Sequence, residues 1–262
     1  MHNFEFVKPG TVAEAAAALQ GEDAQALGGG QTLIPTMKQR LAAPSTLVSL
    51  TGIADLAGVN SDGGTVTVGG ATTHATVAAE TASSFPGLSS LASNIGDPAV
   101  RARGTIGGSL ANNDPAACYP AAALGSGATI VTNTREISAG DYFQGMFTTA
   151  LEEGEIITAV RFPVPEKSAY AKFDQPASRF SLTGVFVTKS ADGVRVAVTG
   201  ASEDGVFRWT EAEEALSSEF SADAIRGLSV GAHGMIGDIH GTAEYRAHLV
   251  GVMTRRAVEA AA

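Results

Sequence analysis

Leu27-Gly28-Gly29-Gly30-Gln31-Thr32-Leu33-Ile34-Pro35 leaves a short predicted strand, Gln25-Ala26-Leu27, and enters a helix predicted over Leu33 to Leu41. Pro35 falls in the first turn of that helix, where a missing N–H costs nothing. Successive glycines at a strand-to-helix turn let several main-chain N–H groups face one concavity. Gln31 and Thr32 add polar side chains, and the helix N-terminus adds a partial positive charge. The natural guest is a pyrophosphate, although a tight turn holding nothing fits this loop equally well when it is taken alone.

Outward from this loop the first ~55 residues alternate in kind. Phe4-Glu5-Phe6-Val7 reads as a strand, broken by Pro9-Gly10. Thr11 with Glu14 three positions on forms a capping box for an Ala-rich helix ending near Gly21. Thr46 to Leu50 is a further strand. The unit is therefore a small strand–helix–strand–helix–strand α/β piece. From residue 56 strands are expected at Val66-Thr67-Val68, Ala128 to Val131 and Ile156 to Phe162, with helices opening at Thr73 and Phe85. Gly96 to Pro120 is rich in Gly, Asn, Asp and Pro and reads as one long functional loop. Pro163-Val164-Pro165-Glu166-Lys167 is the expected boundary between a first domain, 1–165 (parts 1–55 and 56–165), and a C-terminal α+β domain, 166–262. In the latter, strands are expected near Ser181 to Lys189 and Val194 to Gly200, and helices at Thr210 to Leu216 and Ala243 to Ala261.

Gly104-Thr105-Ile106-Gly107-Gly108-Ser109-Leu110-Ala111-Asn112-Asn113-Asp114 is a second glycine loop. Thr105, Ser109, Asn112 and Asn113 are donors, and Asp114 is an acceptor suited to ribose or adenine hydrogens. Two such loops in one chain favour a dinucleotide. Neither contains the Gly-Lys-Ser/Thr ending of a P-loop or the Gly-x-Gly-x-x-Gly of a Rossmann site.

The bulk composition limits the alternatives. The 262 residues carry a formal charge of −10, which argues against nucleic acid as a partner. Main-chain amides nevertheless hold phosphate without cations. One cysteine, Cys118, supplies neither a disulfide nor an iron–sulfur cluster; a small buried apolar role is expected for it. No apolar run is long enough to span a membrane, and the N-terminus shows no signal peptide, so a cytoplasmic location is expected. The five histidines show no metal-site spacing. Arg101 and Arg103 flank the second loop, either supporting it by ion pairs or facing a partner.

The first loop resembles the Ala-Gly-Gly-His/Gln-Ser-Leu-Ile-Pro loop of the FAD subunits of molybdenum hydroxylases, such as carbon monoxide dehydrogenase medium chains and the FAD domain of xanthine dehydrogenase. Arg103 to Asn112 is similar to that family's second loop, Arg-Gly-Thr-Ile-Gly-Gly. The likeness runs on through Phe143 to Phe147, Gly154-Glu155-Ile156-Ile157, Tyr170 to Phe173 and Ala243 to Arg246. It implies an α+β fold: a two-part FAD-binding domain of the vanillyl-alcohol-oxidase type, then a small C-terminal domain of the carbon monoxide dehydrogenase flavoprotein type. Both loops would cradle the FAD pyrophosphate, with Leu27, Gly28, Gly29, Gly30, Gln31, Thr32, Leu33 and Ile34 on one side. Thr105, Ile106, Gly107, Gly108, Ser109, Asn112 and Asp114 would lie on the other. Ile95 would pack on the cofactor, Ile157 touch it by its backbone, and Lys172 reach the flavin's polar edge. Gln175 to Ser181 would lie near the ring, with Phe180 covering one face.

The resemblance further implies an oxidoreductase subunit that takes electrons from two [2Fe–2S] clusters in a small iron–sulfur subunit. The molybdopterin cofactor would sit in a large subunit, within an (αβγ)2 heterohexamer. The electrons would pass to an external acceptor. Four departures stand out: Gly28 where Ala is usual, Gln31 where carbon monoxide dehydrogenases have His, Thr32 where Ser is usual (which keeps the hydroxyl), and Cys118 where many relatives have aspartate. Gln31 points toward hydroxylation of an aromatic or N-heterocyclic compound. The alternatives are a carbon monoxide dehydrogenase medium subunit or a stand-alone FAD oxidase or reductase of the same fold.

Overall fold

The computed structural model describes residues 1–261; Ala262, the last residue of the expected C-terminal domain, lies outside them. The first unit contains β1 (Glu5–Val7), α1 (Val12–Ala18), β2 (Ala24–Leu27), α2 (Leu33–Lys38) and β3 (Thr46–Ser49). Its sheet is parallel with order β1-β3-β2, as strands joined through helices require. The capping box forms: Glu14 N–H donates to Thr11 Oγ1 and Thr11 N–H to Glu14 Oε2, both at 3.2 Å. Helix α2 stops at Lys38, short of the expected Leu41, because Arg40 turns into the left-handed region at φ +62°. Ala15, Leu19, Val48, Ile53 and Leu56 close a small core against Ala71 and Ile156 of the next unit. β2 lies at the sheet edge, so the glycine turn that follows it sits beside that unit.

The second unit runs β4 (Val59–Asp62), β5 (Thr65–Gly69), α3 (His74–Glu80), α4 (Pro86–Ser93), α5 (Pro98–Arg103), α6 (Ile106–Asn112) and α7 (Tyr119–Ser126). It continues with β6 (Thr129–Thr132), β7 (Glu136–Ser138), α8 (Ala139–Tyr142), β8 (Phe143–Gly145), β9 (Thr148–Thr149) and β10 (Ile157–Pro163). The antiparallel sheet has order β4-β5-β10-β6-β7, and β8 and β9 form a separate hairpin. The expected long loop from Gly96 to Pro120 is instead α5, α6 and the start of α7. Their six to eight residues are too few to be helical by propensity. Caps and burial hold them: Asp97 Oδ1 accepts from Val100 N–H at 2.9 Å, Thr105 Oγ1 from Gly108 N–H at 3.1 Å, and Ile106 and Leu110 are fully buried.

The third unit holds β11 (Lys167–Asp174), β12 (Ser181–Ser190), β13 (Gly193–Ser202), β14 (Gly205–Arg208), α9 (Thr210–Ser218) and α10 (Ala243–Ala261). Its antiparallel sheet has order β11-β12-β13-β14; β11 and β14 were not expected as strands. Helices α9 and α10 cover one face. The other packs Tyr170, Phe186 and Ala197 into the core of the second unit. With both faces covered, β12 is buried along most of its length. The whole is the α+β architecture that the sequence implies.

Candidate cofactor site

The turn after β2 and the start of α6 meet backbone to backbone. A Cβ added at Gly29 would lie 2.0 Å from the Arg103 carbonyl oxygen, and one at Gly107 would lie 2.5 Å from the Gly70 oxygen. Gly107 N–H donates to that same Gly70 oxygen at 2.9 Å. Thr73 and Thr105 form a bridge closed by His74 N–H to Gly104 O at 2.9 Å and Ile106 N–H to Thr72 O at 3.1 Å. In such a pair the central N–H points away from the partner strand, which leaves the Thr105 N–H free. The N–H groups of Gly28, Gly29, Gly30, Gln31 and Thr32 likewise find no acceptor among the described residues. Buried or half-buried amides rarely go unpaired; Gly28, Gly29 and Gly30 are half-buried, Thr105 is buried, Gln31 and Thr32 are exposed, and all six border one cavity.

That cavity measures about 810 Å³, in the upper part of the range typical of cofactor and drug-sized sites. Its walls come from all three units: residues 25–33 of the first, α6 and the segment around Leu151 to Ile157 of the second, and Ala177 to Phe180 of the third. Free amides without a lysine in the seat, beside an acceptor at Asp114, fit a diphosphate carrying a nucleoside. Asp114 is partly withdrawn from water, which raises its carboxyl above the usual range, while a 2.8 Å hydrogen bond from Ala116 N–H works the other way.

Of the residues singled out from the sequence, Leu27 to Leu33, Ile95, Thr105, Gly107, Gly108, Ser109, Asn112, Asp114 and Ile157 border the cavity. Three do not. Ile34 turns its side chain under the loop against Gly30. Ile106 is fully buried in the core of the second unit. Lys172 spends its ammonium inside the protein, donating to Asn94 O at 2.6 Å and Arg179 O at 2.9 Å and pairing with Asp174 at 2.8 Å, with its side chain 5% exposed. It therefore ties the end of α4 to the β11–β12 hairpin, two elements whose neighbouring residues Ile95 and Phe180 border the cavity. Arg101 supports the same turn from the other side, through hydrogen bonds to the Ile95 and Gly96 carbonyls at 3.2 and 3.0 Å rather than through ion pairs. Gln31 folds back on its own loop, with Nε2 donating to Gly29 O at 3.1 Å.

Other residues border the cavity without having been singled out for it. His74, 5% exposed, lies beneath Gly104; burial, aided by the charge of Arg101, lowers its pKa to about 4, so it is neutral at pH 7. Glu155 is clasped by Arg135, Thr132 and Thr134 and is held at about 2, chiefly by the Arg135 guanidinium. Cys118, buried as expected, sits 3.5 Å from Ser181 Oγ. Phe147 stands exposed at the tip of the β8–β9 hairpin. Glu155 and Phe147 lay within stretches of family likeness, but nothing in their spacing marks them as wall residues. Among the described residues no group of three or more His, Cys, Asp or Glu is placed to hold a metal ion, and no helix is long and apolar enough to cross a membrane.

Residues 2–165 match the family described as the FAD binding domain in molybdopterin dehydrogenase. The chain is 36% identical to the carbon monoxide dehydrogenase medium chain of Afipia carboxidovorans, over 99% of this chain and 96% of that one. It is also 36% identical to the nicotine 6-hydroxylase medium subunit of Paenarthrobacter nicotinovorans, over 97% and 95%. Among solved structures, quinoline 2-oxidoreductase from Pseudomonas putida 86 superposes with a TM-score of 0.89 at 27% identity, covering 99% of this chain and 97% of that one.

Proposed function

The chain belongs to the family of FAD-binding domains of molybdopterin dehydrogenases, and from that premise we propose that it is the FAD-carrying, electron-transferring medium subunit of a molybdenum hydroxylase. The observation that carries this reading is the row of unpaired amides at residues 28–32 and 105, set around a cavity of about 810 Å³. FAD, when bound, supplies the redox chemistry, accepting electrons from a partner's iron–sulfur clusters and releasing them to an external acceptor. The chain's own residues seat, orient and shield it. The amides of Gly28 to Thr32 and Thr105 hold the diphosphate; Ser109, Asn112 and Asp114 are the groups for hydroxyls and ring nitrogens. Leu27, Leu33, Ile95 and Ile157 supply apolar walls, and residues 177–180 exclude water from one end. Ile34, Ile106 and Lys172 act from behind this lining by holding the loops in place.

The partners in this reading are a small iron–sulfur subunit and a large molybdenum-cofactor subunit, assembled as (αβγ)2 in the cytoplasm. The substrate is an aromatic or N-heterocyclic compound, a choice that rests on Gln31 where carbon monoxide dehydrogenases have His. The division at about residue 165 into an FAD domain and a C-terminal domain belongs to the same proposal.

Reconstitution tests the cofactor. The purified chain mixed with FAD and desalted should keep bands near ~370 and ~450 nm, about where oxidised flavins absorb; loss of both bands on desalting refutes the reading. Co-purification tests the assembly: a chain that always isolates alone and turns over an organic substrate is a stand-alone flavoenzyme instead. Dye reduction by the purified complex with N-heterocycles, set against carbon monoxide, separates the two substrate readings.

A further inference from the structure

We propose that Phe147 is a ring-covering residue that closes over one aromatic end of the bound dinucleotide. This rests on the FAD reading above. Phe147 takes φ +55°, a left-handed conformation that is an outlier for a bulky side chain and comfortable for glycine or asparagine. Strain of this kind persists only where the surroundings impose it, and it concentrates at ligand clamps. Here Asn113 imposes it. That residue caps α6 with φ +43° and is 3% exposed. Its Nδ2 donates to Gly145 O and Thr148 O, each at 2.9 Å, and its own carbonyl accepts from Phe147 N–H at 3.1 Å. One buried residue thus fixes the four-residue tip at three points.

Nothing inside the protein rewards this arrangement. The Phe147 side chain is not buried: the residue is 57% exposed and borders the cavity. The same helix, α6, has the free Thr105 amide before its first turn and Asn113 after its last. Seven residues of helix span roughly 10 Å. Phe147 therefore stands far enough from the diphosphate seat to serve a ring rather than a phosphate. An aromatic side chain held out at a cavity mouth offers a face for stacking, which is tolerant of ring type.

The test uses the full chain with Phe147→Gly, Phe147→Asn and Phe147→Tyr, read by FAD and ADP titration and by melting of the flavin-free protein. Gly and Asn accept the left-handed backbone, so neither should lower the melting temperature. Both should weaken FAD binding about tenfold, in line with the loss of one stacked ring, while Tyr binds within about twofold of wild type. Weakened ADP binding in the Gly variant assigns the ring to adenine; unchanged ADP binding assigns it to the isoalloxazine, and both outcomes sustain the proposal. Wild-type FAD affinity in the Gly and Asn variants overturns it, including the case in which these variants lose only their association with partner subunits. A wild-type chain that takes up no FAD overturns the cofactor reading itself, which marks that failure apart from this one.

Discussion

A methyl group added at Gly29 would sit 2.0 Å from the Arg103 carbonyl oxygen and 2.6 Å from Gly104 Cα, both main-chain atoms. At Gly28 the first obstacle is a side-chain oxygen, Thr105 Oγ1, at 2.8 Å. Gly29→Ala should therefore cost about 1–3 kcal/mol, the scale of overpacking, and should abolish FAD retention by prising the two loops apart. Gly28→Ala, the residue usual in the family, should cost distinctly less. Urea unfolding and desalting of FAD-loaded variants check both; equal losses at the two positions would refute this account. The sequence made these glycines conspicuous, but its two readings of them, positive φ or close approach, divide unevenly. Among the glycines of the two loops only Gly30 takes positive φ, +71°; Gly29 and Gly107 serve close approach. Which main chain they approach depends on contacts far apart in the chain, beyond the reach of local pattern. The same holds for Lys172: Asp174 and Arg179 are near it in the chain, but its acceptor at Asn94 comes from a segment that only the fold brings to it.

At the scale of elements, the segment from Thr149 to Ile157 joins β9 to β10 and walls the cavity with Leu151, Glu155 and Ile156. Glu155 latches it: its carboxylate accepts from Thr132, Thr134 and Arg135 side chains and from the Glu152 N–H, and Arg135 also donates to Ala150 O at 2.6 Å. The carboxyl's pKa falls from 4.5 to about 2, so between those values the unfolded chain binds the proton more readily than the folded one. The latch is complete above about pH 4.5 and is lost as pH falls toward 2. Because the Arg135 side chain is 41% exposed, solvent screening leaves roughly 1–2 kcal/mol. Acid unfolding of Glu155→Gln beside wild type should show the variant already weakened at pH 7 and the gap closing toward pH 2; a gap constant with pH refutes the latch. Strand-rich pieces and the long C-terminal helix were legible from alternation and caps. The run of α5, α6 and α7 was not, since Gly, Asn and Pro depress helix propensity. Asp97 before Pro98 and Thr105 before Ile106 were the cap signals that announce them.

At the scale of the whole molecule, Arg246 is the tie that binds α10 to the third sheet. It is 2% exposed, and its guanidinium donates to Leu182 O and Gly200 O at 2.7 Å each and pairs with Asp238 at 2.7 Å. The adjoining Ser181 and Thr199 contact Cys118 and the Pro115 and Ala117 carbonyls, so the sheet that Arg246 steadies also carries part of the cavity wall. Arg246→Met should lower unfolding stability by about 3 kcal/mol, by stranding two buried carbonyls and half an ion pair. Differential scanning calorimetry of the flavin-free chain checks this, and an unchanged melting temperature refutes it. The α+β class and the pairing of two glycine loops were readable from sequence. That the third unit closes the cavity with residues 177–180 was implied only by family likeness.

The proposed diphosphate seat has no side chain at its centre. Five consecutive amides and a sixth across the cleft are supplied by whatever residues stand there, and only proline deletes such a donor. Alanine at Gln31 or Thr32, or sequence drift there, leaves the donor count untouched. Nor does this row of main-chain donors titrate; the group whose charge changes with pH lies elsewhere in the cavity, at Asp114, whose carboxyl is raised by burial.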